Sequence, residues 1–264
     1  MGTGRSANDP SDRALLFPFP TTDPSLPSRQ GIRYRSGRLV RTRTAGTPAQ
    51  RVGIFGGTFN PIHLAHLRSA EEVREAQRLD CVLFIPSATP PHKPRYGLVN
   101  AEHRLAMVRL ATAGNPYFKV STIEIERPGR SYSVDTLRAL RARMPWVSFT
   151  FIMGLDAFRE IDTWKEYEHV FELADLVVTS RPPLGEPELR RALPVAVRAR
   201  VCYSDSALEH RTGNRIIFQP VSDLDISASA IRQRCKRGLS IRYLVPAAVE
   251  RYIARHGLYA GRSR

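Results

Sequence analysis

Unbroken apolar runs mark the strands of this chain. "RVGIF" (51–55), "CVLFIP" (81–86), "VSFTFIMG" (147–154), "ADLVVTSRP" (174–182) and the shorter "NRIIFQP" (214–220) each carry a stretch of large apolar residues without steady polar alternation. Such runs belong to strands buried on both faces. Between them the spacing turns helical. Leu67, Ala70, Val73 and Ala76 recur three residues apart within 64–78. "NAEHRLAMVRLATAG" (100–114) reads as a helix, with Asn100 as its cap and Gly114 at its end. Residues 133–144 are helical and Pro145 stops them, while two helices, 227–237 and 246–256, close the chain. "FKVSTIEI" (118–125) reads as extended, and the weakly patterned residues 183–213 as a surface excursion with one short helix. Strand and helix in alternation predict an α/β fold: a parallel sheet of about five to six strands with helices on both faces.

Residues 1–50 carry no lasting period and are rich in Pro, Ser, Thr, Gly and Arg. They read as a disordered basic extension ahead of one domain over 51–264. The extension holds eight arginines and three aspartates, +5 of the chain's net +15. A basic balance favours anionic partners. Yet only four of the 40 basic residues are lysine, which points as much to a base-composition bias as to a binding surface. Nucleic acid is therefore not expected as a partner. No run approaches the ~20 apolar residues that span a bilayer, and no apolar leader opens the chain, so no membrane role is expected. Cys81, Cys202 and Cys235 are far apart and form no C-x-x-C pair. A reducing, cytoplasmic setting is the expectation.

The chemistry gathers in "VGIFGGTFNPIHLAHLRSAEEV" (52–73). Gly56 and Gly57 directly follow the first strand, where parallel sheets bind ligands. Glycine lets a phosphate approach the backbone, and the next helix offers free N–H groups with its positive dipole end. The stretch is neither a Walker loop nor a G-x-G-x-x-G fingerprint. His63 and His66, three apart at a helix start, share one face. A metal there would need a third ligand that nothing nearby supplies. Two donors to phosphate oxygens fit better.

"GGTFNPIHLAH" resembles the G-G-T-F-[DN]-P-x-H-x-G-H motif of the nucleotidylyltransferases, and among them the bacterial nicotinate-nucleotide adenylyltransferases. The resemblance runs over about residues 51–259, with "PPHK" (90–93), "GRSYSVDTL" (129–137), "IMGLDAF" (152–158), "TWKEYE" (163–168) and "ISASAIR" (226–232) in the family's order. Three positions depart from the pattern: Ala65 replaces a glycine, Ser133 a threonine and Ser229 a threonine. The resemblance implies a Rossmann-like, doubly wound sheet. It implies transfer of the adenylyl group of ATP to nicotinate mononucleotide, giving nicotinate adenine dinucleotide and pyrophosphate, with Mg²⁺ carried mainly on the ATP phosphates. It places Gly56, Gly57, Thr58, Phe59, His63, His66, Gly154, Asp156, Ser229, Ile231 and Arg232 on ATP. His66, His63 and Arg232 are the expected catalytic residues. Lys93, Ser133, Trp164, Lys165 and Arg181 are expected on the substrate side, with Trp164 stacked on the pyridine ring. Asp156 fits either the ribose hydroxyls or a helix cap, and a homo-oligomer stays open.

Two other readings compete. Phosphopantetheine adenylyltransferases and cytidylyltransferases share the chemistry but lack the Trp164 segment paired with "GRSYS". A non-catalytic RNA-binding protein would need aromatics interleaved with arginine, and residues 1–50 offer only Phe17, Phe19 and Tyr34. Removing residues 1–50 should leave turnover at the full-length level. A large loss in a steady-state assay would favour the binding reading.

Overall fold

The computed structural model describes residues 34–35, 38–39, 49–90, 97–180, 191, 193–198, 200–204 and 207–261. The chain divides into two units, Met1–Pro48 and Ala49–Arg264. In the first, Tyr34–Arg35 pairs antiparallel with Arg38–Leu39. Residues 1–33, 36–37 and 40–48, with the expectation that they are disordered, lie outside the described residues, while Gln50, read as the end of the extension, already belongs to the first strand of the second unit.

The second unit is built on an eight-stranded sheet among the described residues. Its strands are β1 (Gln50–Gly57), β2 (Cys81–Pro86), β3 (Phe118–Val120), β4 (Val147–Gly154), β5 (Asp175–Ser180), β6 (Val201–Ser204), β7 (Ala207–His210) and β8 (Arg215–Pro220). Their spatial order is β3-β2-β1-β4-β5-β8-β7-β6. The first six are parallel throughout, as the continuous apolar runs predict, and β7 and β6 add an antiparallel edge. That edge pair was not expected. Strands of four residues such as "VCYS" and "ALEH" are too short and too mixed to show a period.

The chain steps outward from β1 to β2 and β3, then returns to lay β4 on the other side of β1. Strand order reverses there, which opens a crevice at the carboxyl ends of β1 and β4. In register, Ile54 lies between Leu83 of β2 and Phe151 of β4. Gly53 leaves the middle of β1 bare. A Cβ at that point would come 2.8 Å from Leu79 Cδ1 and 3.0 Å from Ile152 Cδ1. The glycine thus lets side chains pack across the strand.

The helices are α1 (Leu64–Ala76), α2 (Ala101–Thr112), α3 (Ile123–Glu126), α4 (Ser133–Arg143), α5 (Leu155–Arg159), α6 (Tyr167–Leu173), α7 (Val195–Arg198), α8 (Ala228–Lys236) and α9 (Ala247–Arg255). Asn100 caps α2 as expected, its Oδ1 accepting the Glu102 N–H at 3.3 Å. One expectation fails at 118–125. The strand ends at Val120, and "IEIE" closes a single helical turn. Ser121 Oγ accepts the Ile123 N–H at 3.3 Å, so the backbone finds a local partner instead of a ladder. Among the described residues, no helix is long and apolar enough to cross a membrane.

Beneath the crevice sits an aromatic cluster. The Phe84 side chain is fully buried. Its ring centroid is 5.5 Å from that of Phe55, 5.9 Å from Phe59 and 4.9 Å from Phe118. Phe84→Ala should cost about 3–5 kcal/mol of stability. In urea unfolding this should appear as a lower midpoint with an unchanged slope.

Candidate active site

A cleft of ≈ 450 Å³ opens where β1 and β4 end. Of the sequence-predicted residues, Gly56, Gly57, Thr58, Phe59, His63, His66, Gly154 and Arg232 line it together. Ala65 lines it too, and its buried methyl stands where the motif usually has glycine.

The turn from β1 into α1 is set by three residues. A Cβ on Gly57 would lie 2.9–3.2 Å from three atoms of the Phe59 ring, so the ring folds back over bare backbone. Phe59 takes a left-handed φ of 47°, and the Asn60–Pro61 peptide is cis. Asn60 then holds the turn with its whole amide. Its Nδ2 donates to Gly97 O at 2.9 Å, while Oδ1 accepts the Val99 N–H at 3.3 Å and the Tyr259 hydroxyl at 2.8 Å. Burial raises the Tyr259 phenol above its ordinary pKa, so it stays a donor. Sequence reasoning assigned Asn60 no role. The only signal was that it stands where many relatives of the motif carry aspartate, which could not donate to Gly97 O.

His63 is the N-cap of α1, and the first turn of the helix contains no acid. The positive helix end therefore faces the cleft without a competing carboxylate. The His63 and His66 rings stack with centroids 3.6 Å apart. The His63 N–H donates to His66 Nδ1 at 3.2 Å. Nδ1 is thus an acceptor, and in the neutral ring the proton belongs on Nε2. Phe59 and Phe55 set their rings edge-on to His66 at 5.3 and 6.1 Å, fixing its plane.

Arg232 on α8 reaches the same turn, its Nη1 donating to Asn60 O at 2.8 Å. Ser227 caps α8, accepting the Ala230 N–H at 3.2 Å. Ser229 is exposed, with its hydroxyl 3.1 Å from that of Ser227. The Ile231 side chain is wholly buried in the core, so only its backbone is available to a ligand. Asp156 is fully exposed on α5, with Arg159 3.9 Å away, and stands outside the cleft lining. Thr179, at the end of β5, lines the cleft and was not singled out from sequence. Its place near the end of a buried strand was the available signal.

Ser133, Trp164 and Lys165 stand outside the lining of this cleft. Ser133 opens α4, and Lys165 Nζ lies 3.1–3.2 Å from both Asp135 carboxylate oxygens and 5.1 Å from the Tyr132 ring centroid. Asp135 therefore joins α4 to the Trp164 segment. Trp164 sets its ring edge-on to Phe151, at 6.4 Å, and Phe151 Cε2 lies 3.9 Å from where a Cβ on Gly56 would sit. Lys93 and Arg181 lie outside the described residues.

The cleft gathers the positive end of α1, two imidazoles and a guanidinium around a bare strand end. Such an arrangement holds a polyphosphate and can donate to charge developing on it. Gly57→Ala should displace the packed Phe59 ring and cost about 1–3 kcal/mol. Gly56→Ala, whose nearest neighbour would be Phe151 Cε2 at 3.9 Å, should change stability by under about 0.5 kcal/mol. Paired urea titrations would check the contrast.

The chain matches the Cytidylyltransferase-like family over residues 54–234. It is 52% identical over 212 residues to a "Probable nicotinate-nucleotide adenylyltransferase" of Geobacter sulfurreducens, covering 80% of this chain and 98% of that protein. A protein of the same description from Syntrophotalea carbinolica is 50% identical over 218 residues, covering 81% of this chain and 99% of the relative. Among solved structures, the fold is similar to the Plasmodium falciparum nicotinic acid mononucleotide adenylyltransferase complexed with NaAD. The TM-score is 0.62 at 18% identity, over 80% of this chain and 97% of that one. With the glycine turn, the histidine pair and the reversed strand order in place, the chain belongs to the nicotinate-nucleotide adenylyltransferases of the Cytidylyltransferase-like family.

Proposed function

We propose that this chain transfers the adenylyl group of ATP to nicotinate mononucleotide, giving nicotinate adenine dinucleotide and pyrophosphate, in one in-line displacement. An oxygen of the mononucleotide phosphate forms a bond to the α-phosphorus as the bond from that phosphorus to the β-phosphate bridging oxygen breaks. Pyrophosphate leaves with the electron pair. The attacking phosphate is already ionised at neutral pH, so no side chain has to remove a proton from it. Catalysis then consists of positioning and charge stabilisation.

The observation that carries this reading is His66. The His63 backbone N–H donates to its Nδ1, which sets the ring proton on Nε2 as the donor proposed for the α-phosphate oxygens. His63 supports it from the N-cap of α1, and Arg232 offers a planar fork to the β- and γ-phosphates. Its hydrogen bond to Asn60 O uses one of five guanidinium donors. Among the described residues, no three of His, Cys, Asp and Glu come together as metal ligands. Mg²⁺ would be held through the ATP phosphates and water, where it would neutralise their charge. On the substrate side, Trp164 presents an aromatic face for the pyridine ring, with Ser133 and Lys165 toward the ring carboxylate.

Pyrophosphate release from Mg-ATP tests the reading, with nicotinate and nicotinamide mononucleotide offered separately. Turnover should be strong with the nicotinate form. His66→Ala should lower kcat by about 10²–10³-fold, the usual effect of losing one transition-state donor. A preference for the nicotinamide form would overturn the ring-carboxylate assignment. Full activity in His66→Ala would remove the imidazole from the mechanism.

A further inference from the structure

Arg104 on α2 is 1% exposed and heads the largest fully buried side chains. In sequence it reads as an ordinary helix arginine. Its three hydrogen bonds all run to backbone carbonyls from three separate segments. Nη1 donates to Thr58 O at 2.8 Å, Nη2 to Ala88 O at 2.9 Å and Nε to Val99 O at 3.1 Å. Thr58 lines the cleft, and Ala88 belongs to the loop that leaves β2 beside it. The same loop is held from its other side. Ser131 Oγ accepts the Ala88 N–H at 2.9 Å, and the Ser131 N–H donates to Thr89 O at 3.0 Å. The Ser131 hydroxyl also bonds to Glu124, whose Oε1 accepts from Thr136 Oγ1 at 2.7 Å. Ser131 and Glu124 are both buried. A further bond, from the Ser87 N–H to Gly57 O at 2.9 Å, ties the loop to the glycine turn.

We infer that Arg104, with Ser131 and Glu124, is a positioning frame that locks the loop after β2 to the turn after β1 and so fixes the shape of the nucleotide cleft. The inference rests on the catalytic reading of that cleft. Its physical ground is cost against geometry. Burying a guanidinium is expensive, and an apolar side chain of similar volume often serves stability as well or better. What an apolar residue cannot do is hold three carbonyls in one plane. Lysine has the charge but not the fork. The Ala88 residue is gripped at both ends, its C=O by Arg104 and its N–H by Ser131. Neither group touches the reacting atoms, so both act by setting where other groups stand.

The test uses the full chain as Arg104→Lys and Ser131→Ala, assayed at a temperature where circular dichroism shows each folded. The expected result is a fall in kcat of about 100-fold for Arg104→Lys, the scale of a misplacement near 1 Å. Ser131→Ala should lose roughly tenfold, the equivalent of one hydrogen bond. The ATP KM should stay within about threefold, because positioning in the transition state is lost rather than binding. Amide hydrogen exchange at Ala88 should quicken in both variants. Folded variants with wild-type kcat, or a loss confined to melting temperature or KM, would overturn the frame. If Arg104→Lys does not fold, Ser131→Ala decides alone by the same two readouts. If the wild-type chain releases no pyrophosphate with nicotinate mononucleotide, the catalytic reading fails, but Ala88 exchange needs no substrate. Exchange slow in the wild type and fast in Ser131→Ala would still uphold the frame, and equal rates would sink it.

Discussion

A polyphosphate can be held by main chain only where a strand turns into a helix with no side chain in the way. The site of this protein depends on that constraint. Gly56 and Gly57 end β1 bare, and α1 begins at its N-cap His63 on the edge of the space they leave. The sheet supplies the space itself, because strand order reverses between β1 and β4 and no crossover covers the carboxyl ends there. Everything else in the cleft is arranged around this opening. The Phe59 ring fills the protein side of Gly57, and Phe84 supports Phe59 from below. The same ring sets the plane of His66.

Around that opening, buried polar groups do a second job. Asn60 ties the turn to the segment before α2, to the chain's C-terminal Tyr259 and, through its carbonyl, to Arg232. Arg104 ties the turn to the loop after β2. Both are buried, and both use most of their hydrogen-bonding capacity on main chain or on one another's neighbours. A polar group buried without partners would cost several kcal/mol. One whose partners come from three separate segments instead fixes those segments relative to one another. Positioning of this kind is what a displacement without a general base requires.

Sequence made the parallel sheet legible, because β2 is buried along its whole length and its apolar run is unbroken. The glycine turn and the histidine pair were legible for a similar reason: few other purposes put bare backbone and two imidazoles at a strand end. The short turn at Ile123–Glu126 was not, because the period-two spacing of Ile123 and Ile125 imitates a strand while Ser121 Oγ takes the Ile123 N–H away from a ladder. The β6–β7 edge was hidden by its brevity. Arg104 and Asn60 escaped because most of their partners are main-chain carbonyls and amides, which no side-chain pattern records. Ser229 and Asp156, whose places in the motif suggest ligand contacts, are both exposed and stand outside the cleft lining.

The account holds that the adenylyl group passes directly from one phosphate to another, with histidines that donate hydrogen bonds and never become attached to it. The most direct measurement is the stereochemical course at phosphorus, using one diastereomer of an ATP analogue carrying sulfur at the α-phosphate. A single in-line displacement predicts inversion in the dinucleotide product. Retention would require two displacements through a covalent enzyme intermediate and would contradict the account.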